Sequence, residues 1–433
     1  MKSKMMVMLA VAALMSVTAA FGDDGVDASF NPYRQGFPAF PGLAPGLQIS
    51  KANVDQFVDA LDPGMVNVVR NGWYEIKVGP TTQFAVNEKY VAATRKYAAS
   101  VKLGPNVGDL EGYVAGRPFP QEPDLKDPRA GEKLAWNYKH GASGEDNASV
   151  NPFYWRYRDM RTGKVERTVK FSFHFLRFKH RLTEPAPEVP GNASNMLMAI
   201  YARVYDPQDI KGIQLLIQRY EDDHKLDDSY MFLPMTRRVR RLAPAQTTDA
   251  FLGSDAMIED FKGYNAAISD MKWTYKGMRN VLLPMYNHNE MKFETDLPAE
   301  SDGYKFVGLT GMAGCFPDVT WQLRKTYVLE AVPVRTDHPI SKRIFYLDAQ
   351  TMMIVRGLAY DRRGELWKNG TLGMSHPDAH LPANKGTGTP VDDVFSAVDM
   401  QAMHCTTGQF KTQGDATTNK PSMFQVQYMR NES

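Results

Sequence analysis

The histidines of the C-terminal third come nearest, by type and spacing, to a metal site. His376 and His380 flank Pro377, and His404 precedes Cys405 later in the chain. A helix could place two histidines on one face to bind Zn²⁺, but a proline removes a backbone donor that the helix needs. We therefore predict a loop with solvated imidazoles at this position, and no metal site.

Acidic residues are concentrated in one short stretch, Glu221–Asp223 followed by Asp227 and Asp228. Paired carboxylates can act as general acid and base, but a cluster between two strands is typical of a solvated turn. The sequence also contains no Gly-x-Ser-x-Gly, no phosphate-binding loop with Lys and Ser or Thr, no His-Glu-x-x-His and no Cys-x-x-Cys. We predict that the protein is not an enzyme and uses no cofactor.

The first 22 residues are typical of an export signal. Lys2 and Lys4 precede an uncharged apolar run, and small residues at positions 20 and 22 precede Asp23. A membrane anchor is the alternative, but the run of about 17 residues is at the short limit for a span. No cysteine follows that could carry a lipid anchor. We expect cleavage after residue 22 and a soluble periplasmic protein that is not lipid-anchored.

Export makes Cys315 and Cys405 candidates for one disulfide bond, because the periplasm is oxidising and the number of cysteines is even. The bond would close a loop of about 90 residues, which is worth roughly 4 kcal/mol in the chain-entropy model. Two buried free thiols are the alternative.

Aromatic residues alternate along a predicted hairpin that spans residues 153–181 and turns at 161–164. Three phenylalanines fall on one side of its second strand, and polar residues fall on the other. An ordinary core face is the alternative, but a curled sheet can enclose more volume than its side chains fill, and methionine-rich walls adapt to apolar ligands. The predicted cavity wall consists of Trp155, Tyr157, Phe171, Phe173, Phe175, Met198 and Ile200.

Four arginines surround one valine in the run Arg237-Arg238-Val239-Arg240-Arg241. On a strand this pattern places charge on both faces, which favours an exposed strand or a docking surface over a core strand. Protection of a sheet edge against aggregation is the alternative interpretation.

The composition is typical of a globular protein with a sizeable core, because 43% of the 433 residues are hydrophobic and 23% are charged. A net charge of +2 does not favour nucleic acid as a partner. Residues 23–150 predict an N-terminal arm and helical segment, residues 151–411 predict antiparallel strands with short turns, and residues 412–433 predict a polar tail that frays. The fold class is mainly β (α+β), with a sheet long enough to curl into a barrel or half-barrel covered by helices.

Several segments carry a resemblance to known families. Residues 230–242 and 249–261 resemble lipoprotein-sorting-like proteins related to the periplasmic carriers LolA and LolB. The mature chain is more similar to the family called domain of unknown function 1329, through residues 116–120, 273–277, 342–348 and 360–367. The resemblance implies a large curved antiparallel sheet that forms a half-barrel closed by helices and holds a lipid-like ligand. It also implies an efflux-type inner-membrane permease and an outer-membrane protein as partners, and it supplies no site residues.

These observations together predict a periplasmic carrier that binds a hydrophobic, lipid-like ligand and passes it between an inner-membrane permease and outer-membrane components. The alternative is a structural or sensory periplasmic subunit whose cavity is fully packed. A hydrolase or lyase is a third hypothesis, and it would need polar groups that converge in the cavity.

Overall fold

The computed structural model describes residues 23–141, 146–243, 248–414, 417 and 419–431. The predicted export signal, residues 1–22, lies outside the described residues. Helices are a minor part of the described chain: α1 Asp23–Phe30, α2 Pro63–Arg70, α3 Glu88–Tyr97, α4 Ala130–Lys139 and α5 Val426–Asn431. No helix in the described ranges has the length and apolar character needed to cross a membrane.

Strands dominate the described chain, and they run from the N-terminal segment almost to the C-terminus. In chain order they are β1 Gln48–Ile49, β2 Ile76–Val78, β3 Lys102–Leu103, β4 Leu110–Glu111, β5 Asn147–Asp159, β6 Val165–Arg177, β7 Met196–Asp206, β8 Gln214–Tyr220, β9 Asp228–Leu233, β10 Arg238–Arg241, β11 Met271–Leu283, β12 Met285–Tyr286, β13 Leu309–Thr310, β14 Phe316–Pro317, β15 Thr320–Pro333, β16 Ile340–Asp348, β17 Ile354–Asp361, β18 Leu366–Ser375, β19 Val391–Asp399 and β20 His404–Gly414. The prediction of a mainly β protein is confirmed.

Sixteen of the described strands form one sheet, whose main path runs β1-β2-β15-β16-β17-β18-β19-β20-β5-β6-β7-β8-β9-β10. Two antiparallel meanders, β5 to β10 and β15 to β20, are joined side by side where β20 pairs with β5. The sheet is mixed and not purely antiparallel, because β2 pairs parallel with β15 and β12 pairs parallel with β18. Across the described strands the two ends of the path do not pair, so the sheet does not close into a barrel.

The helices of the N-terminal segment begin at polar caps, as their sequences require. Asp62 accepts a hydrogen bond from the backbone N–H of Met65 at the start of α2, and Asn87 accepts one from Tyr90 at the start of α3. Pro63 is the first residue of α2, a position where its missing donor costs nothing. The segment is part of the same fold, because β2 pairs directly with β15.

Both faces of the sheet are covered. We call the face that carries Trp155 and Phe173 the aromatic face; residues 251–258 and α4 pack on it. On the opposite face, α2 packs near β15, and α5 packs near β7 to β9. The sheet therefore lies between two layers of short helices and loops.

The C-terminal tail differs from its prediction. The sequence predicts a polar segment that frays from residue 412, but β20 continues to Gly414, and Phe424 and Met429 are fully buried against the sheet. A few apolar side chains hold the tail in place, although most of its residues are polar.

The predicted disulfide between Cys315 and Cys405 is present, with the two Cα atoms 6.0 Å apart. Cys315 directly precedes β14 and Cys405 lies on β20, and both are fully buried. The bond spans a loop that contains β15 to β19, so it ties one whole meander at its ends.

Candidate functional site

The predicted cavity-wall residues lie together on the aromatic face. Phe171 is the cross-strand partner of Phe153, and Phe173 and Phe175 pair with Ala202 and Ile200 of β7. Direct partners in an antiparallel pair point to the same side of the sheet, and alternate residues along each strand do so as well. The period-2 pattern of β5, β6 and β7 therefore places all seven predicted residues on one face.

The rings on this face pack edge to face. Trp155 lies 5.2 Å from Phe171 between ring centroids, and Phe171 lies 5.0 Å from Phe153 and 5.4 Å from Phe173. These separations and their steep interplanar angles are favourable for aromatic pairs. Gly408 of β20 permits this packing, because a Cβ there would stand only 2.0 Å from the ring of Phe395.

A segment of residues 251–264, which we call the overlying loop, covers these rings. Phe251 lies 5.7 Å from Trp155, and Phe261 lies 5.6 Å from Phe173. The two loop rings also contact each other at 5.4 Å. The sequence pattern gave no sign of this contact, because the loop has no regular period and only its resemblance to a family drew attention to it.

Two adjacent cavities lie beneath the overlying loop. The larger has a volume of about 150 Å³ and the smaller about 90 Å³, and Phe175, Phe261 and Lys262 line both. The larger is lined on its aromatic side by Val150, Phe153, Trp155, Phe173, Phe395 and Phe410, and opposite these by Phe345, Ile354, Gly357, Ala359, Gly370 and Leu372.

The structure distributes the predicted residues among three places. Trp155, Phe173 and Phe175 line the larger cavity, while Met198, Ile200 and again Phe175 line the smaller one. Tyr157 and Phe171 are buried in the aromatic cluster, where the hydroxyl of Tyr157 donates a hydrogen bond to the carbonyl of Leu252 at 3.2 Å. The part of the wall that was not predicted comes largely from β16 to β19. Apart from Phe345 and Phe395, it consists mainly of small and aliphatic residues without a distinctive pattern.

The cations at the cavity wall are neutralised by carboxylates. Lys262 Nζ lies 3.7 Å from Asp392 Oδ1, and Lys368 Nζ lies 2.7 Å from Asp399 Oδ2. Arg343, on β16, pairs with Glu259 and with Asp260, the latter at 2.6 Å. Counting only described residues, the cavity presents apolar surface without an unpaired cation.

The Arg343 pairs also anchor the overlying loop to the sheet. Burial alone would raise the pKa of Glu259, but the charge of Arg343 and the hydrogen bond from His338 outweigh it and lower the pKa to about 2. The anchor is buried: the side chains of Arg343, Glu259 and His338 are each at most 5% exposed. The loop is therefore held by a charged cluster that depends on Glu259 being ionised.

A second polar cluster lies away from the cavities, where His288, His380 and Asp393 are buried together with ligand atoms within 4.8 Å of one another. His288 Nδ1 is 2.7 Å from Asp393 Oδ2, and Tyr286 donates to the other carboxylate oxygen. The prediction of solvated imidazoles is wrong for His380, because the turn after Pro377 directs its ring inward.

The tautomer of His380 decides what this cluster can bind. Asn384 Nδ2 donates to the carbonyl of Thr412, and its Oδ1 accepts from the N–H of Gly414, so the amide has one orientation. Asn384 Nδ2 then also faces His380 Nδ1 at 2.9 Å, which makes Nδ1 an acceptor. Burial lowers the pKa of His380 well below its usual value, so the neutral ring carries its proton on Nε2. A metal-binding Nε2 must be unprotonated, and this arrangement disfavours a metal ion.

The other predicted histidine and cysteine are used elsewhere. His404 Nδ1 lies 2.7 Å from Asp255 Oδ2, whose carboxylate also accepts from Thr406, and Cys405 is in the disulfide. His376 Nε2 accepts from the N–H of Ala85. The structure therefore does not bring these residues to one site.

The chain is similar to one protein of known sequence and to several solved structures. It is 26% identical over 350 residues to the uncharacterized protein PA3922 of Pseudomonas aeruginosa, covering 78% of this chain and 70% of that protein. Among solved structures it is similar to a DUF1329 family protein from Desulfovibrio piger (16% identity, 70% of this chain and all of that one, TM-score 0.49). It is also similar to a Vibrio parahaemolyticus domain described as an outer membrane lipoprotein-sorting protein (15% identity, 70% of this chain and all of that one, TM-score 0.47). A LolA superfamily protein from Nitrosomonas europaea is similar as well (10% identity, 66% of this chain and 92% of that one, TM-score 0.39).

The family model for DUF1329, a protein family of unknown function, matches residues 48–430, which include both meanders, the overlying loop and the tail. The match extends over most of the chain and confirms the resemblance found in the sequence. The chain therefore belongs to the DUF1329 family.

Proposed function

We propose that the protein is a periplasmic carrier that binds a hydrophobic, lipid-like ligand on its aromatic face. The observation that carries this proposal is the cavity beneath the overlying loop. Its wall is aromatic and aliphatic, and the cations of Lys262, Lys368 and Arg343 are already paired with carboxylates. A non-polar molecule needs this combination of apolar contact and compensated charge.

The finer architecture that we propose is a half-barrel closed by the overlying loop and α4. Residues from seven neighbouring strands, β16 to β20 followed by β5 and β6, line the one larger cavity. Seven strands laid flat would span about 29 Å at their usual spacing. A sheet that curves around the cavity accounts for so many strands bordering so small a space.

The overlying loop must move before a long ligand can bind. An apolar cavity of 150 Å³ accommodates a molecule the size of benzene, far smaller than an acyl chain. Phe251 and Phe261 rest directly on Trp155 and Phe173, so they occupy the place that the ligand would take. In our proposal the ligand displaces these two rings and takes over their contacts.

The proposal also covers location and partners. The basic and apolar start of the sequence supports export to the periplasm. We propose that the carrier receives its ligand from an efflux-type inner-membrane permease and delivers it to an outer-membrane protein, without a catalytic step. The support for these partners is the resemblance seen in the sequence.

Uptake of an environment-sensitive fluorescent fatty acid by the purified protein tests the proposal. We expect saturable binding, and native mass spectrometry of protein from its own host should show a bound hydrophobic molecule. Protein that is repeatedly empty and does not take up the probe would contradict the carrier function.

A cavity-filling variant makes this test specific. A Cβ at Gly357 would meet only ordinary contacts, 3.5 Å from the ring of Phe345, so Gly357→Val should fold and fill the cavity. We expect it to take up less probe, while Gly25→Val, which has no neighbour within 4 Å of its new Cβ, should bind as the wild type does. Equal binding by both variants would place the probe elsewhere.

The second candidate function is a structural or sensory subunit of an envelope complex. The small volume of the closed cavity favours it, because the aromatic face is almost filled by its own side chains. The same probe experiment separates the two candidates, since a permanently packed face takes up no ligand.

A further inference from the structure

The hairpin of β9 and β10 forms one edge of the sheet and carries four arginines among five consecutive residues. β10 is the last strand of the sheet path and pairs only with β9 among the described strands. Arg237, Arg238, Arg240 and Arg241, which we call the basic edge, are all exposed. The hairpin turn between the strands presents Met235.

Most of the charge on the basic edge has no acidic partner among the described residues. Arg241 pairs with Asp228 across the hairpin, but Arg237, Arg238 and Arg240 make no ion pair with any described residue. Two arginines of the sheet, Arg343 and Arg356, are instead buried against carboxylates. Protection of a sheet edge needs only a few charges, and it does not explain an apolar residue at the tip.

Met235 stands at the tip with 94% of its surface exposed, more than any other large apolar side chain in the described chain. It has no role in folding that burial could explain. A flexible apolar side chain beside unpaired guanidiniums fits the interface of a bilayer, where the cations meet phosphates and the thioether enters the acyl boundary.

The register connects this edge to the cavity. Four direct cross-strand pairs lead from β10 to β6: Arg240 with Met231, Met231 with Leu215, Leu215 with Ala202, and Ala202 with Phe173. Direct partners share a face, so a row of apolar side chains leads from the cavity wall to Arg240 across four strand spacings, about 19 Å. Val239 points to the opposite face, where it packs in the same cluster as the C-terminal tail.

We propose that the basic edge and Met235 dock the protein on a bilayer that contains anionic phospholipids, so that the apolar row that ends at Met231 lies beside the membrane. An anionic lipid surface fits both the unpaired arginines and the exposed methionine, whereas nucleic acid would leave the methionine unexplained. The inference rests on the proposed carrier function for its purpose, but docking can be measured without any ligand.

Flotation with lipid vesicles tests the docking. Full-length mature protein should float with phosphatidylcholine vesicles that contain about 30 mol% phosphatidylglycerol, and should not float with phosphatidylcholine alone. Binding should fall when NaCl is raised to about 0.5 M, because salt screens the arginines. Equal binding to both vesicle types, or binding to neither, overturns the proposal and leaves an acidic protein as the remaining partner for this edge.

Charge reversal locates the contact. Arg238→Glu with Arg240→Glu should weaken binding to the anionic vesicles by about 30-fold or more, since each arginine near such a surface is worth about a factor of five. Met235→Ser should weaken it by a smaller factor. The control Lys126→Glu with Lys385→Glu makes the same change in net charge at exposed sites far from the hairpin in sequence. Equal losses in both double variants would mean that only net charge matters, and would overturn the assignment to this edge.

The probe experiment separates this inference from the proposed function. Arg238→Glu with Arg240→Glu should still take up the fluorescent fatty acid from solution, because neither side chain lines either of the two cavities beneath the overlying loop. If the wild type binds vesicles but takes up no probe, the proposed carrier function is contradicted and the proposed docking surface still stands. If the wild type takes up the probe but does not bind vesicles, the proposed docking surface is contradicted and the proposed carrier function still stands.

Discussion

A charged substitution at Phe173 should have opposite effects depending on whether the aromatic face lines a ligand cavity or is a filled core. Phe173 lines the larger cavity and contacts Phe261 of the overlying loop. We expect Phe173→Asp to remain folded and lose probe uptake, because displacement of the loop opens the cavity to water that can hydrate the new carboxylate. A charge sealed in a packed core would instead be unpaired and would unfold the protein. Thermal unfolding and probe fluorescence on the same sample measure both properties.

Phe316 provides the matched control for this change. It is buried on the opposite face, where it stacks on Tyr74 at 5.1 Å and lines neither cavity. We expect Phe316→Asp to lose cooperative unfolding. If Phe173→Asp unfolds in the same way, then the aromatic face is a core and the ligand site lies elsewhere.

The orientation of single side chains was predictable where the sequence has a simple periodic pattern. Alternation along β5 to β7 indicated that Trp155, Phe173 and Ile200 share a face, because side chains of a strand alternate strictly. The position of His380 was not predictable, since its burial depends on Asn384 and on Asp393 of a neighbouring strand. Contacts of this kind form only after the chain has folded.

Among the elements, the overlying loop should respond to acid through Glu259. Its pKa is lowered from 4.5 to about 2 in the folded protein, so its contribution to stability is present above pH 4.5 and is lost as the pH falls towards 2. The contribution is on the order of 3 kcal/mol. We expect the loop to loosen over this range, and hydrogen exchange of residues 251–264 should detect it.

Two glutamine variants test the origin of that response. Glu259→Gln should lower stability at neutral pH and flatten the acid dependence, because the neutral amide cannot pair with Arg343. Glu365→Gln removes an exposed carboxylate and should change neither property. An acid response that survives in Glu259→Gln would assign it to another group.

The C-terminal tail should behave as part of the core. Phe424 is fully buried against the sheet, so Phe424→Ala should lower the free energy of unfolding by about 3 kcal/mol or more. Met423 is only partly buried, and Met423→Ala should cost much less. Chemical denaturation measures both, and equal small losses would indicate a frayed tail.

Elements without a periodic sequence pattern could not be predicted from the sequence. The β5–β6 hairpin was predicted closely because its turn and alternation are local features. The overlying loop and the tail are fixed by a few side chains, such as Phe261 and Phe424, at irregular spacing. Their contacts are distant in sequence, so no short window of residues predicts them.

At the scale of the whole molecule, the order of the strands was the feature least accessible from sequence. Hairpins with short turns, such as β5 with β6, were predictable, but the junction of β20 with β5 joins residues about 250 positions apart. The parallel pairing of β2 with β15 likewise joins the N-terminal segment to the second meander. Hydrophobic alternation specifies which face of a strand is buried and does not specify its neighbour.

The disulfide should stabilise this whole arrangement, because it closes the loop that holds β15 to β19 and ends on the junction strand β20. Both cysteines are buried, so Cys315→Ala with Cys405→Ala avoids placing a new polar group in the core. We expect the double variant to unfold at lower denaturant concentration, with a loss of roughly 4 kcal/mol for a 90-residue loop. Dithiothreitol should shift the wild type to the same midpoint and leave the variant unchanged. If the reduced wild type keeps its midpoint, or if both thiols react with an alkylating agent without reductant, then the bond does not hold the second meander in the protein in solution.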